Sequence, residues 1–315
     1  MGANMSDIVE AIENCIGNNA VLKGDSVKQR ISVWGTNQPM EALAIVRPKN
    51  TDEVSSVLKL CNEQSQPIVP QGGMTGLVKA GMPNSSEIAF SLERMNSIID
   101  VDFDTATMTV EAGVTLQEAQ EAADAHGLML PLDLGARGSA TIGGNLSTNA
   151  GGNRVIRYGM TREMVLGVEA VLADGTILSS LNKVLKNNTG YDLKQLFIGG
   201  EGTLGIITKA VLRLRPKPKS ENTAFVSVND FNNVVKLLRS LEVSLSGSLS
   251  AFEVMWSSAY RVLTGDHSHN SRPFPIEASH FVLVEALGGD PATDKDRFEN
   301  ALGEALQSGL VTDAL

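Results

Sequence analysis

The chemistry this chain can do is concentrated where its glycines are. The first cluster is Val69-Pro70-Gln71-Gly72-Gly73-Met74-Thr75-Gly76-Leu77. It follows a short apolar run directly. Glycines at 72, 73 and 76 let the main chain take conformations closed to other residues and aim several N–H groups at one point. Such a loop can hold a pyrophosphate without lysines. Two familiar phosphate motifs are excluded. No Gly-Lys-Ser/Thr ending is present, Lys79 standing instead between Val78 and Ala80, and the spacing does not fit the three-glycine dinucleotide fingerprint. Taken alone, the cluster reads equally well as a plain glycine turn.

A second cluster runs from Pro131 through Leu134-Gly135, Thr141-Ile142-Gly143-Gly144-Asn145 and Asn149-Ala150-Gly151-Gly152-Asn153. Almost all its side chains are small, so its main chain can lie flat against a planar ligand. A flexible linker is the bland alternative, but the run lacks a linker's monotony. The third cluster, Gly199-Gly200-Glu201-Gly202-Thr203-Leu204-Gly205-Ile206-Ile207, again joins glycines to a strand. Three such loops suit a long dinucleotide better than a small ligand.

Elements must position these loops. Leu43–Arg47 reads as a strand, Thr51 as the cap of a helix carrying Val54, Val57, Leu58 and Cys61 on one face, and Pro67–Pro70 as the next strand of a βαβ unit. Strands are expected over Ser97–Val101 and Thr107–Glu111. Thr115-Leu116-Gln117-Glu118 is a capping box whose helix stops at Gly127. Asp174-Gly175 signals a type I′ hairpin between Met164–Leu172 and Thr176–Ser180, and Leu204–Leu214 reads as a last strand. The alternating prolines of Arg213-Leu214-Arg215-Pro216-Lys217-Pro218-Lys219 mark a domain boundary. Beyond it, strands at 224–228, 250–255 and 280–286 and helices at 234–241 and 294–308 make a second α+β unit. A strand begun at Leu310-Val311-Thr312 makes that unit read as incomplete.

The chain has 315 residues, 42% hydrophobic and 20% charged, with a net charge of −10. This is a globular composition, and disorder is excluded. No apolar run is long enough to span a bilayer, and an acidic chain without a basic block is a poor nucleic-acid binder. Cys15 and Cys61 cannot build a disulfide scaffold and fit a reducing compartment. Residues 1–20 hold no Lys or Arg, so they read as neither signal nor transit peptide, and a cytoplasmic location is expected. Met1-Gly2-Ala3-Asn4-Met5-Ser6 matches the myristoylation pattern, with a frayed helix start as the plainer reading.

At this point long words become recognisable: Val-Pro-Gln-Gly-Gly (69–73), Leu-Pro-Leu-Asp-Leu-Gly-Ala (130–136), Ile-Gly-Gly-Asn (142–145), Thr-Asn-Ala-Gly-Gly (148–152), Asn-Thr-Gly-Tyr-Asp-Leu-Lys-Gln-Leu-Phe-Ile-Gly (188–199) and Glu-Gly-Thr-Leu-Gly-Ile-Ile-Thr (201–208). The chain resembles the vanillyl-alcohol-oxidase-like, or FAD-linked oxidase, flavoproteins, and among them the dehydrogenases of D-2-hydroxyacids of the D-2-hydroxyglutarate type. The resemblance implies an α+β fold. It comprises an N-terminal helical segment (1–40), an FAD-binding domain of two α/β subdomains (41–216) and an incomplete ferredoxin-like substrate domain (217–315). It implies noncovalent FAD, since the first two clusters hold no His or Cys. Gly72, Gly73, Met74, Thr75 and Gly76 would cradle the pyrophosphate. Leu132, Gly135, Thr141, Gly144, Asn145 and Gly151 would follow the ribityl and isoalloxazine, and Glu201, Gly205 and Ile207 would meet the adenosine end or the neighbouring ribose. Pro70, Leu77, Ala150 and Ile206 complete the set. Met74 departs from the Asn of similar members. Tyr191 and Asp192 match a family word but read as a buried turn with a helix cap.

The implied reaction is hydride transfer from a small 2-hydroxyacid to flavin N5. Electrons would then pass to an electron-transfer flavoprotein, a quinone or a cytochrome, and a homodimer is the assembly to consider. The alternatives are a D-lactate or glycolate dehydrogenase subunit and a noncatalytic FAD-binding fragment. The family's metal motif, His-x-Gly-Asp-Gly-Asn-x-His, is missing. The histidines are His126, His267, His269 and His280. A divalent metal such as zinc is therefore expected only in a further C-terminal part, and no catalytic residue is assigned. His267-Ser268-His269 reads as a polar loop rather than a metal pair, Arg272 as a solvated loop arginine, and Trp34 is left without a role.

Overall fold

Val54, Val57, Leu58 and Cys61 recur at helical spacing, and all four side chains are buried. They lie on α3 (Thr51–Glu63), which packs with α1 (Met5–Ile16) against the first of three principal sheets. In this computed structural model, residues 5–31, 38–265, 270–275 and 277–315 are described. Trp34, the His267/His269 pair and Met1–Asn4 lie outside them.

The chain divides into two units. The first comprises Met1–Leu130, Leu134–Ala150 and Met160–Pro216. Its first sheet contains β1 (Val21–Leu22), β2 (Ala44–Val46), β3 (Ile68–Gln71) and β4 (Ile88–Ser91) in the order β1-β2-β4-β3, with a single turn of helix, α2 (Asp25–Lys28), after β1. β2 and β3 both run parallel to β4. The two strands of the βαβ unit are thus not neighbours, because β4 enters between them. Thr51 is not the cap of α3. Asn50 is, its side chain accepting from the Glu53 N–H, while the Thr51 hydroxyl donates to Glu169 at 2.6 Å.

The second sheet is antiparallel. Its strands are β5 (Ile98–Asp102), β6 (Thr107–Glu111), β8 (Val165–Val171), β9 (Ile177–Ser180) and β10 (Ile206–Arg213), ordered β5-β6-β10-β8-β9. The capping box at Thr115 opens α4 (Leu116–Ala125), as the sequence spacing requires. The hairpin at Asp174-Gly175 is not type I′. Only Gly175 has positive φ, at 87°, and its N–H reaches the Leu172 carbonyl, so a type I turn is closed by one left-handed glycine. Arg213–Lys219 is not simply a linker, since β11 (Arg215–Pro216) pairs with β7 (Leu128–Met129).

A polar knot ties α3 to the second sheet. Glu169 Oε1 on β8 accepts from Thr51 Oγ1, from Thr208 Oγ1 at 2.9 Å and from Lys209 Nζ at 2.9 Å. Burial pushes this carboxyl up, but the three hydrogen bonds and the lysine charge outweigh it and hold it below its ordinary 4.5.

The second unit comprises Pro131–Asp133, Gly151–Gly159 and Lys217–Leu315. Its antiparallel sheet runs β13-β14-β12-β15, from β12 (Ser220–Val228), β13 (Leu249–Trp256), β14 (His280–Gly288) and β15 (Asp313–Ala314). The last strand begins later than the expected Leu310, because Leu310 and Val311 close the end of the preceding helix and Val311 enters the core. Alternation splits the sheet into two cores. Ala224, Val226, Val282 and Val284 face α8 (Phe231–Ser244) and α10 (Pro291–Gln307). Phe225 and Phe281 face the other way and pack with Phe274 and with Tyr260 of α9 (Ser257–Leu263). A four-residue helix, α6 (Val155–Tyr158), is held to this unit by Arg154, which forks onto Glu285 at 3.0 and 2.8 Å.

Two outcomes follow from this packing. Phe281→Ala removes a fully buried ring and should cost roughly 3–5 kcal/mol, read as a lower denaturant midpoint. The Glu169 knot contributes stability above about pH 4.5, which is lost as pH falls through the lowered folded value. The melting temperature should therefore drop in acid, and Glu169→Gln should start lower at pH 7 and show a shallower acid slope.

Candidate functional site

The site is assembled around one short helix, α5 (Ile142–Ser147), which lies inside the second glycine cluster, where no helix was expected. Thr141 caps it by accepting from the Gly144 N–H at 3.3 Å. Ile142 and Gly143 donate to the Val114 and Ala112 carbonyls, which pins the helix to the end of β6. Two of its first three residues after Ile142 lack bulk, so other main chain can come very close.

The first glycine cluster does so. A Cβ on Gly72 would sit 2.8 Å from Thr141 Oγ1 and 3.1 Å from Gly144 Cα, and one on Gly73 would run into the Ser139 carbonyl. These two positions admit only glycine. Gln71, buried at the end of β3, closes the loop by donating from Nε2 to the Gly81 carbonyl at 2.9 Å. Met74 takes a φ of 54° and its sulfur lies over Gly81. The third cluster meets the other end of α5. Gly199 donates to the Leu146 carbonyl at 3.0 Å and Glu201 to the Ser147 carbonyl at 2.9 Å. Arg162 braces this contact, donating to the Gln195 carbonyl on α7 (Lys194–Phe197) and to the Ile198 carbonyl.

These approaches enclose a hollow of about 260 Å³ within the first unit. The first cluster supplies Pro70, Gly72, Gly73, Met74, Thr75 and Gly76 to its walls. Thr141, Gly144, Asn145 and Ala150 come from the second cluster, and Glu201, Ile206 and Ile207 from the third. A neighbouring hollow of about 550 Å³ shares Gly72, Gly73, Met74 and Thr141 and reaches the Arg30–Glu93 ion pair. Burial pushes the Glu93 carboxyl up, but Arg30 and Arg47 bring it below the ordinary carboxylate range.

Five expected residues are not on the wall. Leu77 points outward, 73% exposed. Gly205 lines a different hollow of about 490 Å³, and Gly135 lines neither. Leu132 and Gly151 belong to the second unit. Sequence reading also missed Phe90, Leu92 and Ala112, which form apolar wall. The run Ile88-Ala89-Phe90-Ser91-Leu92 carries the signal of a buried parallel strand and could have found them. Tyr191 is not in a buried turn. It is 95% exposed, and Asp192 accepts from Lys194 and Gln195 side chains instead of capping a helix. Arg272 is exposed and donates to the Thr264 carbonyl. Burial lifts the Cys61 thiol to about 12, so it is inert at neutral pH.

The charge on the walls is sparse. Among lining residues only Lys79 and Glu201 carry it, so an anion here would be met chiefly by main-chain N–H groups. One polar atom is left over. Asn145 is 4% exposed and its Nδ2 is buried without a hydrogen-bond partner. An unpaired buried donor costs roughly 1–3 kcal/mol. Glycine-built walls, an apolar floor and an uncommitted donor fit a dinucleotide with a flat ring system. Among the described residues no group of three or more His, Cys, Asp or Glu is placed to hold a metal, and no helix is long and apolar enough to cross a membrane.

The comparisons bear on this geometry directly. Residues 42–180 match the FAD binding domain model, and residues 217–315 match the C-terminal domain of FAD linked oxidases. The probable mitochondrial D-2-hydroxyglutarate dehydrogenase of Oryza sativa subsp. indica is 42% identical over 98% of this chain. The mitochondrial D-2-hydroxyglutarate dehydrogenase of Bos taurus is 38% identical over 98%. The chain spans 56% of each of these relatives. An alkyldihydroxyacetonephosphate synthase structure superposes with a TM-score of 0.80 at 19% identity, covering 99% of this chain and 63% of that one, which shows the shared fold. The expected cytoplasmic location is corrected by the relatives' names, which are mitochondrial; the make-up of residues 1–20 had pointed the other way. With two family models falling on either side of the Pro216 boundary and the same α+β fold in the solved neighbour, the chain belongs to the FAD-linked oxidases.

Proposed function

We propose that the chain binds FAD noncovalently in the hollow around α5 and serves the oxidation of a D-2-hydroxyacid, of the D-2-hydroxyglutarate class, to the 2-oxoacid. One observation carries the reading: three glycine clusters far apart in sequence converge on one short helix and line one hollow with few charged side chains and one unpartnered side-chain amide. When bound, FAD would supply the two-electron acceptor that no amino-acid side chain provides.

The protein's own part is to hold and shield. Gly72, Gly73 and Gly76 offer main-chain donors to the pyrophosphate. Phe90, Leu92 and Ala112 keep water from the wall, and Thr141 and Gly144 fix the helix that faces the ligand. The lining contains no His or Cys, which supports noncovalent attachment. Met74 replaces a polar side chain with little effect, because its thioether folds over Gly81 and leaves the main chain to meet the phosphates. The relatives' names support the hydroxyacid and a mitochondrial location. Acceptors in keeping with this chemistry are an electron-transfer flavoprotein, a quinone or a cytochrome.

The purified chain should be yellow, and acid precipitation should release all of its flavin into the supernatant. Flavin that stays with the pellet would overturn noncovalent attachment. Gly73→Ala should abolish flavin uptake, because the new Cβ collides with the Ser139 carbonyl. Under anaerobic conditions, D-2-hydroxyglutarate should bleach the flavin band of the intact enzyme and D-lactate should do so far more slowly. The reverse order would move the substrate assignment to the shorter acid.

A further inference from the structure

The chain passes between its two units more than once. Pro131–Asp133 and Gly151–Gly159 belong to the second unit, and Leu134–Ala150 between them belongs to the first. The stretch that carries Thr141, Gly144 and Ala150 to the hollow is thus bounded at both ends by second-unit chain. Ala150 is bonded directly to Gly151 and Leu134 to Asp133, so neither flank has slack. The longer flank is fastened at its base and at its tip. At the base, the Thr161 N–H and hydroxyl both donate to the Ala150 carbonyl, at 3.0 and 2.6 Å, and the Arg162 N–H donates to Asn149 Oδ1 at 3.0 Å. At the tip, Ser250 Oγ donates at 2.6 Å to the Glu285 carboxylate that receives the Arg154 fork. Arg157 adds a donation from Nη1 to the Ser248 and Leu287 carbonyls.

A helix of four residues does not hold its own shape, so the course of 151–159 is set by what it is fastened to. The Arg154 and Glu285 side chains are 16% and 13% exposed, which makes their fork a largely desolvated, geometrically matched pair. The hydrogen bonds to Glu285 hold the guanidinium pKa above its ordinary value against burial, and the charges of Asp133 on the shorter flank and of Glu221 add to this. We infer that Arg154 and Glu285 are positioning residues: their fork is the latch through which the second unit sets the wall that ends at Ala150, so that FAD in the hollow and order in β14 favour one another. The inference rests on the FAD reading above. The coupling is reciprocal, since what FAD gains from a latched segment the sheet gains from bound FAD. A purely structural ion pair would stabilise the second unit and leave the affinity for FAD where it was.

The full chain, freed of flavin, is titrated with FAD by fluorescence as wild type, Arg154→Gln, Glu285→Gln and the double variant. Each single change should raise the FAD Kd roughly fivefold or more, and the double variant should bind no worse than the weaker single one, because one latch opens only once. Hydrogen exchange gives the reciprocal reading. Saturating FAD should slow exchange of the β14 main-chain N–H groups in the wild type. In Arg154→Gln that slowing should be lost, while the loops around α5 remain protected. An unchanged Kd in both single variants, losses that add in the double variant, or β14 protection that survives Arg154→Gln each overturns the inference and leaves the fork a structural pair. If the glutamine variants do not fold, Arg154→Lys keeps the charge, gives up the fork and is read by the same two measurements. A wild-type chain that takes up no FAD overturns the parent reading and this one with it, whereas equal uptake by wild type and variants overturns only this one.

Discussion

The first unit depends on how closely main chain can approach main chain at α5. Gly72 and Gly73 lie against Thr141, Ser139 and Gly144 at distances no Cβ would permit, and Gly143 meets Ala112 in the same way. Those approaches bring β3, β6 and the Gly199–Glu201 turn onto one six-residue helix. Without them the two sheets would still form, each having its own alternation and core. The hollow between the loops would not.

The Glu169 knot answers a different need. A parallel-containing sheet and an antiparallel one share α3, and apolar contact alone does not fix their register. One carboxylate oxygen on β8 receiving one donor from α3 and two from β10 does, because the geometry fails if any of the three segments slides. The second unit solves its own version with Arg154 and Glu285, where a planar fork meets a planar carboxylate.

Much of this was legible in the residues. The capping box at Thr115, the helical face of α3 and the strands of the second unit follow from local pattern, and the structure has them. The errors share a cause. The cap at Asn50, the strand β4 between β2 and β3, and the G1-type hairpin at Gly175 are decided by partners far away in sequence. Thr51 looks like a cap until Glu169 is seen to claim its hydroxyl. The helix α5 is the most instructive case. Glycine, asparagine and serine argue against a helix one residue at a time, yet tertiary hydrogen bonds to Val114 and Ala112 hold it. Of the proposed cofactor residues inside the first unit's loops, most line the hollow because glycine spacing reports close approach. Leu77, Gly135 and Gly205 do not, since a motif word says nothing about which of its letters face inward.

The close approaches at α5 also bear on how the motif would age. Gly72, Gly73 and Gly143 answer first to neighbouring protein atoms, so selection for folding alone would keep them. In a lineage that had given up its cofactor, the glycine words would outlive the chemistry they advertise. Asn145, whose Nδ2 has no protein partner, would be freer to drift. Descent and present use are therefore recorded at different positions of the same short helix.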